Sequence, residues 1–133
     1  MADVAPIERA VFSDPWPERD FRECIAVGVP FFVAEVGGAV VGYVIAHHAV
    51  DEAEILNLGV APTYRRQGVG RALVEAILAR LRQRGITAVF LEVRESNTVA
   101  QHLYAALGFT RAGRRRDYYR LPTEDAVILR AAI

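Results

Sequence analysis

Apolar and polar positions follow two rhythms along this chain, and the points where the rhythm changes divide it into elements. Asp3 to Phe12 carries Val4, Ile7, Ala10 and Val11 at helical spacing. Ser13-Asp14-Pro15-Trp16-Pro17 breaks that pattern, and a second short helix is predicted from about Glu18 to Val27. FFVAEV, the Gly37-Gly38 turn and AVVGYVIAHH read as an antiparallel hairpin, and Ala53–Val60 reads as a third strand ending ahead of Pro62.

The clearest helix is predicted from about Val69 to Arg84. Leu73, Ile77, Leu78 and Leu81 form its apolar stripe, and Gly85 is placed to end it. Thr87–Val93 is strongly strand-like. Asn97 to Leu107 is a further helix, capped by Ser96 or Asn97 and stopped by Gly108. Strands over Phe109–Tyr119 and Ala126–Ala131 follow, joined at Leu121-Pro122-Thr123. The order αα, βββ, α, β, α, ββ describes a mixed α+β sheet domain.

Composition narrows the function classes. A chain of 133 residues, 53% of them apolar, suits one domain with a real core, taken here as residues 1–133. The start has no basic region followed by an apolar run, and no apolar stretch approaches the roughly 20 residues a membrane span needs. Cys24 is the sole cysteine, which excludes an internal disulfide. A cytoplasmic protein with no membrane partner is the expectation. The net charge of zero hides a split: residues 1–60 carry three Arg against ten carboxylates, residues 61–133 thirteen Arg against six. Codon bias and solvated faces would give that split. So would an acidic territory for a cationic substrate beside a basic one for a phosphorylated cofactor.

The strongest constellation is the strand Leu56–Val60 running through Arg65-Arg66-Gln67-Gly68-Val69-Gly70-Arg71 into a helix. Its glycines let backbone approach a ligand, and the helix start aims N–H groups and a dipole at an anion. No GK[ST] ending or G-x-G-x-x-G fingerprint is present, so neither a nucleotide-hydrolase loop nor a dinucleotide fold is indicated. Arg65–Gly70 matches the R/Q-x-x-G-x-G/A signature of the GNAT superfamily of N-acetyltransferases. The resemblance continues through LEVRESN (Leu91–Asn97) and LYAALGF (Leu103–Phe109), and it covers most of the chain.

The resemblance implies a mostly antiparallel twisted sheet, flanked by helices and splayed at a site for acetyl-coenzyme A. It gives the cofactor contacts to Leu58, Gly59 and Val60, to Arg65, Arg66, Gln67, Gly68, Val69, Gly70 and Arg71, and to Asn97 and Tyr104. The strand backbone would pair with the pantetheine arm, and an N–H near Val60 would stabilise the oxyanion. Glu92 is out of character in an apolar strand. It is either a carboxylate facing solvent or a partly buried one whose pKa rises toward that of a useful base. The matching Glu of ribosomal-protein N-terminal-alanine acetyltransferases is the proposed general base, and Glu54 is the competing candidate. Tyr104 is either a core aromatic or, as the resemblance implies, the general acid at the coenzyme sulfur.

FSDPWP (Phe12–Pro17) and RDYY (Arg116–Tyr119) also resemble the ribosomal-protein branch. Trp16 and Tyr118 in these segments, with Glu54 and Asn57 on the third strand, are candidate substrate contacts, and the implied acceptor is the N-terminal alanine of a ribosomal protein. A small-molecule amine, or a coenzyme A-binding module without catalysis, are the alternatives. The family's opening strand is absent or reduced to Met1-Ala2, so an exposed sheet edge is expected, in a monomer or covered in a homodimer. His47, His48 and His102 belong to no convincing metal set, so no metal is expected. The arginines at 111, 114, 115, 116 and 120 lack a recognition motif, and no direct nucleic-acid contact is expected.

Overall fold

In the computed structural model, Val4, Pro6, Ile7 and residues 30–133 are described. Val4, Pro6 and Ile7 are helical, within the first predicted helix; the second predicted helix, Trp16 and Cys24 lie outside the described residues. Alternation in the sequence becomes strands β1 (Phe31–Val36), β2 (Ala39–Ala49) and β3 (Glu52–Val60). Helix α1 (Val69–Gln83), strand β4 (Ala88–Arg94), helix α2 (Thr98–Ala106) and strands β5 (Thr110–Tyr119) and β6 (Glu124–Ala132) follow. Gly85, at φ +80°, terminates α1 as its lack of a side chain allows.

The strands form one six-stranded sheet in the order β1-β2-β3-β4-β6-β5. Every neighbouring pair is antiparallel except β3 and β4. α1 is amphipathic, and Leu73, Val74, Ile77, Leu78 and Leu81 are its buried stripe. They pack with Val44, Ala46, Ala53, Ile55, Val89, Leu91 and Val93, and with Tyr104 and Phe109. Burial of a side chain of this size contributes roughly 1.5–3 kcal/mol, so among the described residues this helix-covered face carries most of the stabilising contact. On the other face, Val4 and Ile7 pack on Tyr43. Among the described residues, no helix is long and apolar enough to cross a membrane.

Two irregularities in the ladder shape the centre. Ile45 pairs with Asn57 while Ala46 pairs with Ile55, which leaves Leu56 as an extra residue in β3. Such a bulge bends its strand and increases the local twist. The β3–β4 pairing covers only Glu52–Ile55 against Ala88–Leu91, ending where the bulge begins. Beyond it β3 stays with β2 as far as Val60, and β4 stays with β6 as far as Arg94. The two central strands therefore diverge, and a cleft opens between them.

Candidate active site

The cleft exposes backbone on its β3 side. The Ala61 N–H donates to the Val41 carbonyl at 2.8 Å, and the Gly59 carbonyl faces Gly42. Alternation along the strand then directs the N–H and C=O groups of Leu58 and Val60 away from β2, into the cleft. Gly59 is required by its opposite neighbour. A Cβ there would lie 2.5 Å from the Tyr43 ring, which covers this glycine.

Between β3 and α1 the chain makes a 3₁₀ turn (Pro62–Tyr64) and then two left-handed residues, Arg66 at φ 62° and Gly68 at φ 81°. Gln67 fastens the turn by donating from Nε2 to the Thr63 carbonyl at 3.2 Å. Gly68 is the N-cap residue of α1, and Ala72 donates to its carbonyl at 3.0 Å. The N–H groups of Val69, Gly70 and Arg71 precede that first bond and have no acceptor within the helix. No atom lies within 4 Å of a Cβ built on Gly68, whereas one built on Gly70 would meet Leu103 at 3.6 Å and Val60 at 3.7 Å. Absence of a side chain at 70 thus leaves a gap where β3, α1 and α2 converge. Arg65 and Arg66 are exposed beside it, while the Arg71 guanidinium is turned along the helix to Glu75 at 2.8 Å.

α2 borders the same gap. Asn97 caps it, accepting from the Ala100 N–H at 3.1 Å through Oδ1, which resolves the choice between Ser96 and Asn97. Glu124 holds the turn ahead of α2: Ser96 donates its N–H at 2.6 Å and Arg94 its guanidinium at 3.2 Å. These bonds, Ser96 first, lower the Glu124 carboxyl below its ordinary range. Tyr104 is 6% exposed and packs edge-on against Phe109, with ring centroids 5.5 Å apart. Burial first, then Tyr119 nearby, pushes its phenol well above the ordinary tyrosine value. No hydrogen bond ties its hydroxyl within the described residues, yet no sealed buried polar atom there lacks a partner. The hydroxyl therefore reaches water-accessible space.

The opposite face of the sheet holds the carboxylates. Glu54 and Glu92 project from β3 and β4 into a groove of about 570 Å³, lined also by His47, Glu52, Phe90, Arg115 and Ile128. The Glu92 side chain is 12% exposed, so it is the partly buried carboxylate rather than the solvent-facing one. The Arg115 Nε approaches its Oε1 at 2.7 Å. The Tyr118 hydroxyl donates to Glu92, and that bond, ahead of desolvation, raises the Tyr118 pKa. Glu54 is 40% exposed and lies 3.6 Å from the His47 imidazole. Asn57 lies further along β3, half-buried. His102 is exposed on α2.

Sequence reasoning missed Arg115 and Tyr119. Tyr119 lies under the Arg94 guanidinium, 4.5 Å from its centroid. Burial, then Glu92 and Tyr118, push its phenol up. The only signal was the density of Arg and Tyr over residues 111–120, which does not say which of them turn inward.

A strand-to-helix anion turn beside a diverging parallel pair, with a carboxylate on one face and a tyrosine on the other, has known counterparts. The family model for the acetyltransferase (GNAT) family matches residues 1–109. This chain belongs to that family. It is an N-acetyltransferase, 39% identical over 127 residues to the [ribosomal protein bS18]-alanine N-acetyltransferase of Escherichia coli strain K12, covering 92% of this chain and 84% of that one. It is 38% identical over 133 residues to the N-alpha-acetyltransferase RimI of Mycobacterium tuberculosis, covering 95% and 82%. The crystal structure of the ribosomal-protein-S18-alanine N-acetyltransferase from Escherichia coli superposes with a TM-score of 0.90 at 37% identity, covering 97% of this chain and 84% of that one.

Acetyltransferases of this family use acetyl-coenzyme A. The donor set here fits such a group. Successive N–H groups at the start of α1, two exposed guanidiniums and a left-handed Gly68 facing open space suit a pyrophosphate. The free strand edge at Leu58 and Val60 suits an amide-bearing arm. Among the described residues, no group of three or more His, Cys, Asp and Glu could hold a metal ion.

Proposed function

We propose that this acetyltransferase acetylates the N-terminal α-amine of a protein, an alanine at the head of a ribosomal protein, by direct attack of the amine on the thioester. The observation that carries this reading is Glu92, a carboxylate 12% exposed in an open groove beside the point where β3 and β4 part. A groove of this size, with Glu52 and Glu54 along it, suits a cationic peptide terminus entering from solvent. The names of the Escherichia coli and Mycobacterium tuberculosis relatives support the same acceptor class.

Acetyl-coenzyme A supplies the acetyl group as an activated thioester. In this reading Arg65, Arg66 and the backbone of Gln67, Gly68, Val69, Gly70 and Arg71 hold its pyrophosphate. Leu58 and Val60, flanking Gly59, pair with its arm, and the spare amide of Asn97 adds a donor. Glu92 holds the incoming ammonium and takes one of its protons, which frees the nitrogen lone pair; the nitrogen's second proton leaves as the tetrahedral adduct collapses and goes to the departing sulfur, which leaves as the thiol. The Val60 N–H donates to the negative charge that develops on the carbonyl under attack. Tyr104 donates a hydrogen bond to the departing sulfur; its raised pKa keeps the phenol protonated through neutral and alkaline pH. Glu54, Asn57 and Tyr118 line the path of the acceptor.

The test is acetylation of synthetic peptides beginning with Ala, against a panel of amino acids, polyamines and aminoglycosides, read as thiol release. Turnover on Ala-initiated peptides, with little on the panel, is the expected result. Turnover confined to the panel would move the acceptor to small amines. Tight acetyl-coenzyme A binding with no thiol release for any amine would make the chain a binding module.

A further inference from the structure

Three arginines of β4 and β5 have carboxylate partners, and they are held differently. Arg114 is fixed between two carboxylates, Glu95 and Asp125. Arg94 is fixed by the carbonyls of Pro122 and Arg120 at 3.0 and 2.7 Å and by Glu124 at 3.2 Å. Arg115 has a single carboxylate partner among the described residues, Glu92, plus the face of Tyr118 at 5.5 Å. The pair is lopsided: the Arg115 side chain is 58% exposed, while that of Glu92 is 12% exposed. Arg115 also stands on the edge strand β5, where the ladder loses register before Tyr119 and Asp117 turns to φ 50°. A carboxylate this shielded from water favours a cation beside it. The cation it has can swing into solvent without breaking any other ion pair.

We propose that Arg115 is a displaceable counter-ion, which occupies on Glu92 the place that the acceptor's ammonium takes and yields it when the acceptor enters the groove. This rests on the reading of Glu92 as the base that receives the ammonium. Exchange of one cation for another keeps the buried carboxylate paired throughout, so acceptor entry never strands a charge. It also makes the acceptor compete with a resident guanidinium, so a neutral ligand that cannot satisfy Glu92 is held out. Arg115 is thus a positioning residue, acting through Glu92.

Other charged and titratable groups face Glu92: Glu52 and Glu54 from β3, His47 and His48 from β2, Arg94 from its own strand, and Tyr118 and Tyr119 from β5. All of them remain in an Arg115→Gln variant, so a difference from wild type reports the guanidinium. The rate constant kcat/KM reports the free enzyme, in which Arg115 sits on Glu92; kcat reports the complex, from which it has moved. Expected for Arg115→Gln are an acceptor KM lowered up to about fivefold, the yield of one exposed ion pair, and an acid limb of kcat/KM displaced toward higher pH. The acid limb of kcat stays where it is, and Arg115→Lys restores the wild-type profile.

Movement of both acid limbs together would mean that Arg115 remains on Glu92 in the complex, and would overturn displacement. An unchanged KM with unmoved limbs would also overturn it, and would leave the pair a structural tie. Thermal unfolding of both variants is measured alongside, since a structural tie lowers stability without moving a pH profile. Glu92→Gln serves as the control. If it leaves the pH–rate profile of the full chain intact, Glu92 is not the base, and the reading and the proposal fail together. If it alters the profile while Arg115→Gln does not, only the proposal fails.

Discussion

The two walls of the cleft are built by different means. On the side proposed for the donor, one continuous stretch from Leu58 to Arg71 supplies bent strand, turn and helix start, and its polar groups are backbone apart from the Arg65 and Arg66 guanidiniums. On the side proposed for the acceptor, Glu54, Glu92, Arg115 and Tyr118 come from three strands, and every group is a side chain. A backbone wall is fixed once its φ/ψ angles are fixed, and it reads a shape and charge common to every turnover. A side-chain wall can rearrange, as the Glu92–Arg115 pair is able to, and can be retuned without altering the fold. The division predicts that substitutions on the two walls separate turnover from cofactor affinity.

The sharpest test is Glu92→Gln. An amide keeps the size of the side chain but accepts no proton, so kcat/KM at neutral pH is expected to fall by about 10²–10⁴-fold. Partial recovery is expected as pH rises and more of the amine is already neutral. Acetyl-coenzyme A affinity, measured by calorimetric titration, should hold. A loss of affinity matching the loss of rate would erase the distinction between the walls.

Next in size is Tyr104→Phe. It removes one hydroxyl and leaves the ring that packs on Phe109, so the core is kept. A lost hydrogen bond to a charged group corresponds to about 10–100-fold in kcat, seen in single-turnover rates with cofactor affinity little changed. Since its raised pKa keeps this phenol protonated across the working range, the wild-type rate should show no alkaline limb from Tyr104 between neutrality and pH 9. If the substitution weakens cofactor binding alone, Tyr104 belongs to the donor wall.

The same contrast explains what could be read from residues alone. The Arg65–Gly70 turn was legible because its chemistry is local: glycines, a strand before it and an amphipathic helix after it all lie within about twenty residues. The β3–β4 divergence was implied by resemblance only, since the Leu56 bulge that accompanies it leaves no mark in an alternating apolar strand. Glu92 stood out as a charge among apolar neighbours, but its partner did not. Five arginines crowd β5 and its end; the shift between Arg111 and Gly113 sets the face that Arg115 takes, and the second shift, before Tyr119, falls around Tyr118. Long-range pairs of this kind are settled by tertiary geometry, which composition does not encode.

On the donor wall, Gly68→Ala tests the turn itself. The site is sterically open, so the cost is the left-handed backbone at φ 81°, about 1–2 kcal/mol. Denaturant unfolding should show it, together with weaker acetyl-coenzyme A binding and an unchanged acid limb. A change in acceptor selectivity without a change in cofactor affinity would contradict the assignment of this turn to the donor.

Asn97 carries the smallest expected effect and divides most finely, because it has two roles to separate. Its Oδ1 caps α2, and Asn97→Ala should cost about 1 kcal/mol in unfolding. Asn97→Asp keeps a capping oxygen and adds a negative charge where the helix dipole favours one, so stability should match or slightly exceed wild type. The aspartate lacks the amide donor, however, and would set a carboxylate near bound phosphates. Weaker acetyl-coenzyme A binding in the stable Asp variant would place residue 97 beside the bound cofactor. Affinity that merely follows stability through both variants would leave Asn97 a cap, and the donor wall would then end at the start of α1.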